Sequence, residues 1–196
     1  MEEQAATPAS APKANGTRIP SIVVILAAIL LCVSYFLPFT TAKEDSIATN
    51  SYVQSVEVSE GSDVTIGDLA SPSVITWARF YKAYSERVAS VSSNSMNDYI
   101  VLFWIIVVSG ALAVLALLFA LLRKAIPTTL FALLNLGLNA FLCYYFEGYG
   151  PVSSGAASDW APGHVVMLAA AAVLAVAGIW SFVAKRAEKK IAAANA

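Results

Sequence analysis

Hydrophobic and polar positions separate along this chain into long blocks. From Tyr99 to Leu122 the run YIVLFWIIVVSGALAVLALLFALL has no charged residue, and a second charge-free run, TTLFALLNLGLNAFLCYYF, extends from Thr128 to Phe146. Each reaches the about 20 apolar residues that cross a bilayer's hydrocarbon core. Only Arg123-Lys124-Ala125-Ile126-Pro127 separates them, a turn short enough to hold the two helices antiparallel and adjacent. Two further apolar runs flank this pair. The first, PSIVVILAAILLCVSYFLPF over residues 20–39, lies between Arg18 and Lys43, and the last, VVMLAAAAVLAVAGIWSFVA from Val165 to Ala184, is followed by Lys185, Arg186, Lys189 and Lys190. The pattern predicts transmembrane helices over 20–40, 99–122, 128–146 and 164–184. The fourth is the richest in alanine and is expected to be the most enclosed.

A signal peptide is the competing reading of the first run, because Thr40-Thr41-Ala42 resembles a small-residue cleavage site. The apolar core exceeds the roughly 7–15 residues of a signal peptide's apolar region, and Glu2 and Glu3 precede it. Both features favour a retained helix.

The polar blocks differ in character. Residues 1–19, rich in Ala, Pro, Ser and Thr with no apolar face, are expected to form a disordered tail. Within 41–98, SYVQSVEVSEGSDVTIG places β-prone pieces on either side of Glu60-Gly61-Ser62-Asp63, a hairpin turn. Ser71 stands where it can cap a helix with Pro72 at the first position. Beyond it Val74, Trp77, Tyr81, Tyr84, Val88 and Val91 recur at three- and four-residue steps, with Arg79, Lys82, Ala83 and Glu86 on the other face. An amphipathic helix over 72–92 follows, broken by SSNSMND. Residues 123–127 form a basic turn, 147–163 a turn-rich loop and 185–196 a basic tail. The fold class expected is an all-α polytopic membrane protein: a four-transmembrane-helix bundle with a small extracytoplasmic α+β cap between helices 1 and 2.

Composition agrees. Hydrophobic residues make up 58% of the 196 and charged residues 13%, half the about 25% of soluble domains. Net charge is only −1, but its distribution is uneven. The amino-terminal tail, the 123–124 turn and the carboxyl-terminal tail hold eight basic and three acidic residues; the 41–98 and 147–163 segments hold four basic and ten acidic. Lysine and arginine concentrate on the cytoplasmic side, so both termini are expected in the cytoplasm and both longer loops outside. Both cysteines, Cys32 and Cys143, fall inside apolar runs, which favours a bacterial plasma membrane over a disulfide-stapled extracellular setting.

Candidate chemistry is sparse. The single histidine, His164, excludes a two-histidine metal motif, and no cysteine pair has ligand spacing. His164, Asp159 and Ser154 share one loop but form no recognisable triad by spacing alone. The acidic cluster Glu57, Glu60, Asp63 and Asp68 matches no calcium-loop pattern. No Asp, Glu, Lys, Arg or His lies in the interior of a span, which counts against ion-coupled transport. Within the third span Asn135 and Asn139 lie one turn apart with Thr128 on nearly the same face; the stripe reads as interhelical hydrogen bonding or, alternatively, as a substrate- or water-lined path. Small residues (Ser109, Ala113, Ala116 and Ala120; Ala171, Ala175 and Gly178) supply close-approach faces on the second and fourth spans. The aromatic face of the 72–92 helix, Trp77, Phe80, Tyr81 and Tyr84, either packs on the rest of the cap or contacts lipid or a partner.

The plan of four spans with a large first outer loop and a small second one resembles claudins and other tetraspan junction proteins in topology. The first outer loop has neither their paired cysteines nor their Trp-Gly-Leu-Trp pattern, so no residue role carries over.

These features point to a non-enzymatic structural, accessory or interaction protein without metal or cofactor, acting through its cap. Its expected partners are the bilayer and another membrane or envelope protein, with no nucleic acid. The alternative is a small channel or transporter, a homo-oligomer, using the polar stripe of the third span.

Overall fold

The computed structural model describes residues 18–91 and 98–194. The expected tail through residue 17 and the 92–97 break lie outside the described residues, as do 195–196. The chain is mostly helical: α1 (Arg18–Ser34), α2 (Val74–Val91), α3 (Asp98–Leu121), α4 (Ala125–Gly148) and α5 (Pro162–Ala194), with two short strands, β1 (Thr40–Ala42) and β2 (Ser158–Trp160). Helices α3, α4 and α5 are long and apolar enough to cross a membrane. Helix α1, with 17 residues, is a shorter apolar helix.

The long helices make a closed circuit of contacts. Helix α1 packs on α3 and α5, α4 packs on α3 and α5, and α2 lies along α3. The small-residue faces turn inside: Ser109, Ala113, Ala116 and Ala120 of α3 are buried, as are Ala171, Ala175 and Gly178 of α5. A Cβ at Gly178 would strike the Thr129 hydroxyl, so only glycine lets α4 and α5 approach this closely. Of α5's apolar window 44% is buried, against 28% for α3 and for α4, which bears out the alanine-rich span as the most enclosed of the three. Large apolar side chains such as Val114, Leu130, Leu134 and Val176 cover the outer surface.

Several element boundaries differ from the sequence pattern. The first helix ends at Ser34, short of residue 40, because tighter three-residue turns follow (Phe36 N–H to Val33 O 3.0 Å, Leu37 N–H to Ser34 O 3.2 Å) and Pro38 cannot continue a helix. The cap of α2 is Ser73, whose Oγ accepts from the Thr76 N–H at 3.2 Å. Ser71 is therefore not the cap; Pro72 lies before it, and its carbonyl accepts from Phe39 N at 2.8 Å. Ala83, expected on the polar face, is buried. It lies on the stripe between Arg79 and Arg87, both of which reach over to the 58–63 turn.

The expected hairpin around Glu60-Gly61-Ser62-Asp63 has its turn (Ser62 N–H to Ser59 O 2.9 Å) but only one bridge, Glu57 to Thr65. The regular β-structure is elsewhere. Strand β1 pairs antiparallel with β2, Thr40 opposite Trp160 and Ala42 opposite Ser158, joining the two loops that the helices separate in sequence. The basic segment from Lys185 continues α5 as far as Ala194, since Ala, Lys, Arg and Glu are strong helix formers and no Gly or Pro intervenes.

Candidate functional site

Asn135 and Asn139 are one turn apart on α4 and wholly buried. A buried amide has two N–H donors and a carbonyl acceptor to match. They bond to each other and to groups on α3 and at the end of α1. The Tyr35 hydroxyl, one residue beyond α1, lies 2.5 Å from Ser109 Oγ of α3. Ser109 donates to Asn139 Oδ1 at 2.8 Å, Asn139 Nδ2 donates to Asn135 Oδ1 at 2.7 Å, and Asn135 Nδ2 donates back to Tyr35 Oη at 2.9 Å. With Ser109 committed to Asn139, the tyrosine must donate to Ser109, and every donor then points the same way around a closed ring. The second Asn135 N–H goes to the Ser109 carbonyl at 2.7 Å. Hydrogen bonds in such a chain polarise one another. The ring thus ties α1, α3 and α4 with no polar atom left facing outward.

Thr128, the third residue of the sequence stripe, does not join. Its hydroxyl donates to its own helix at Lys124 O, 2.8 Å. Sequence reasoning missed Tyr35 and Ser109. A tyrosine near a span end reads as an interfacial aromatic, and a serine on an alanine stripe reads as a small packing residue.

Beside the ring, the Tyr35 ring lines an apolar groove of about 320 Å³ between α1 and α3, shared with Cys32, Ile106 and Gly110. Cys32 and Cys143 are free thiols.

The four aromatics of α2 are placed unequally. Trp77 and Tyr81 are 6% and 3% exposed and pack inward; Phe80 and Tyr84 remain part-exposed. Trp77 stacks on Tyr81 (centroids 5.7 Å apart), meets Phe146 edge-on at 5.4 Å and donates from Nε1 to the buried Thr40 Oγ1 at 3.1 Å. Burial pushes the Tyr81 phenol above the usual tyrosine range. Phe39 extends the cluster to Phe146 and Trp160, each at 5.5 Å. His164 belongs to it as well: its ring lies 4.4 Å from Trp160, and Nδ1 is within hydrogen-bond distance of the Ala161 carbonyl, its helix's own first turn.

The acidic cluster is used in local structure. Glu57 accepts from Gly61 N at 2.8 Å, and Asp68 accepts from Thr65 N at 2.8 Å. Asp63 pairs with Arg79 at 2.8 Å, and the hydrogen bond from that guanidinium holds its carboxyl below the usual range. Asp159 faces Lys43 at 3.7 Å, and Lys43 also donates to Ala156 O at 2.8 Å. Among the described residues, no three His, Cys, Asp or Glu side chains are grouped to hold a metal ion.

Between these ties lies a groove of about 470 Å³. Ile47, Val56, Ile66, Leu69 and Phe80 line it, with Glu57 and Arg87 among its charged residues. Comparison with known protein families, with curated proteins and with solved structures finds no match for this chain.

Proposed function

We propose that this chain is a multi-pass plasma-membrane protein in which α1, α3, α4 and α5 cross as a four-helix bundle, with both termini in the cytoplasm. The 17 residues of α1 rise about 26 Å, close enough to a core of about 30 Å for modest local thinning to cover the difference. The basic α3–α4 turn and the basic end of α5, set against acidic outer loops, support the orientation. Confinement of both cysteines to apolar helices favours a bacterial setting.

On this reading the protein is a non-enzymatic interaction protein that engages a membrane or envelope partner through its outer cap. One observation carries it: a mostly apolar groove that includes Glu57 and Arg87 in its lining, mounted on a cap that β-pairing and the Trp77–Thr40 bond tie to the helix ends. A preformed, fixed site reduces the ordering cost of binding. The buried aromatics Trp77 and Tyr81 hold the platform, while Phe80 supplies contact. A conducting path along α4 is the weaker reading, since the amides it would need are spent on each other and on Tyr35 and Ser109.

Photocrosslinking amino acids placed at Ile47 and Phe80 in native membranes test the proposal. Discrete protein adducts from both positions, diminished by Val56→Arg in the groove, are expected. If neither position yields a protein adduct, the cap is not a partner-binding surface.

A further inference from the structure

The end of the molecule opposite the cap has a second cleft, of about 440 Å³, between the α3–α4 turn and the last turns of α5. Arg123, Lys124, Lys185, Arg186 and Lys189 line it together with an apolar wall of Ile126, Pro127 and Phe182. The one carboxylate on this stretch of α5, Glu188, is not among the lining residues, and its Oε1 is enclosed. Five basic residues around one cleft leave an excess of positive charge there, which an anion would offset. We infer that this cleft binds the anionic headgroup of a phospholipid, an inference that adds to the orientation proposed above and is independent of the cap.

Three features fix the turn and two of these side chains. Arg123 occupies the left-handed region (φ 56), the last-turn position that glycine usually fills. The bonds around it, Arg123 N–H to Ala120 O at 3.0 Å and Lys124 N–H to Phe119 O at 2.9 Å, are those of a Schellman cap. An arginine in a conformation that favours glycine keeps a charge there against a backbone strain. Lys185 donates to the Arg123 carbonyl at 2.5 Å, locking the turn to α5. The Arg186 guanidinium sits 4.3 Å over the Phe182 ring, which fixes a long side chain at the cleft.

The apolar wall decides the source of the anion. A soluble phosphate needs cations alone. Ile126 in the wall is 64% exposed, and Ile179 and Val183, on the turns of α5 around Phe182, are 51% and 57% exposed, apolar surface of the kind an acyl chain covers below its headgroup. Basic pockets between helices at the cytoplasmic face suit such lipids.

The test uses the purified, delipidated full-length protein in detergent. Native mass spectrometry follows its titration with phosphatidylglycerol and with phosphatidylcholine of the same acyl chains. Phosphatidylglycerol is expected to bind at least about tenfold tighter, and Arg186→Ala with Lys189→Ala to bring the two lipids level. Arg123→Gly separates binding from folding: its affinity for phosphatidylglycerol falls by about fivefold while its Tm in the same detergent stays level or rises. Equal retention of the two lipids by the unaltered protein overturns the inference, as does an undiminished preference in Arg123→Gly. Displacement of phosphatidylglycerol by millimolar inorganic phosphate also overturns it and assigns the cleft to a soluble anion. Because no cap residue is altered, neither result bears on crosslinking from Ile47 and Phe80.

Discussion

Tyr35 divides its side chain between two surroundings. Its ring lines the apolar groove between α1 and α3, and its hydroxyl closes the ring with Ser109, Asn135 and Asn139. A hydrogen bond between membrane helices contributes about 0.6 kcal/mol on average, whereas a buried polar group stripped of its partner costs about 1–3 kcal/mol. The second figure governs here, because no water reaches the stranded atoms. Tyr35→Phe and Asn139→Leu are each expected to lower stability by about 1–3 kcal/mol in thermal or denaturant unfolding in one detergent. Together they should lose less than the sum, since the second change acts on a ring already open. Strict additivity, or no loss from either, would mean that the four groups do not act as a unit. The two amides could be read from sequence because amides stand out in a charge-free run. The hydroxyls that satisfy them could not, because their pairing with α4 exists only across three helices.

At the level of elements, β1 and β2 show how much rests on one close approach. Gly163, in the first turn of α5, donates its N–H to the Pro38 carbonyl at 2.9 Å, and Ala161 N donates to Phe39 O at 3.1 Å. A Cβ at Gly163 would run into that Pro38 carbonyl, which is backbone and cannot swing aside. Gly163→Ala should therefore push α5 away from the α1–β1 link, loosen the β1–β2 pairing and cost about 1–3 kcal/mol. Limited proteolysis offers the check, with cleavage between residues 40 and 73 expected to accelerate; an unchanged digestion pattern and unchanged Tm would refute it. Helix α2 was legible as an amphipathic helix from its three- and four-residue spacing. Its true cap, Ser73, was not, since Ser71-Pro72 offered an equally good local signal and only the pairing of Pro72 with Phe39 excludes it.

Across the whole molecule the two ends are chemically distinct. One carries the aromatic cluster and the acid-lined cap, the other the basic turn and the basic end of a 33-residue helix. The proposed orientation makes a direct prediction for intact cells. A membrane-impermeant maleimide should label Tyr149→Cys, at a position 74% exposed beside the cap, without lysis. Lys190→Cys, on the exposed end of α5, should react only after lysis. The reverse pattern would invert the protein in the membrane and place its cap inside.

The sequence by itself determined the helices, because charge-free runs of this length in a 196-residue chain leave the backbone few ways to satisfy its polar groups away from water. It determined that Asn135 and Asn139 turn inward and that the alanine face of α5 packs, since both follow from the periodicity of a single helix. Only the packed fold shows which groups complete the polar ring, that β-pairing links the loop after α1 to the loop before α5, and that Arg123 stands in a strained helix end facing Lys185. Each of these joins residues far apart in the chain, and no local propensity or spacing records the partner that a distant segment will bring.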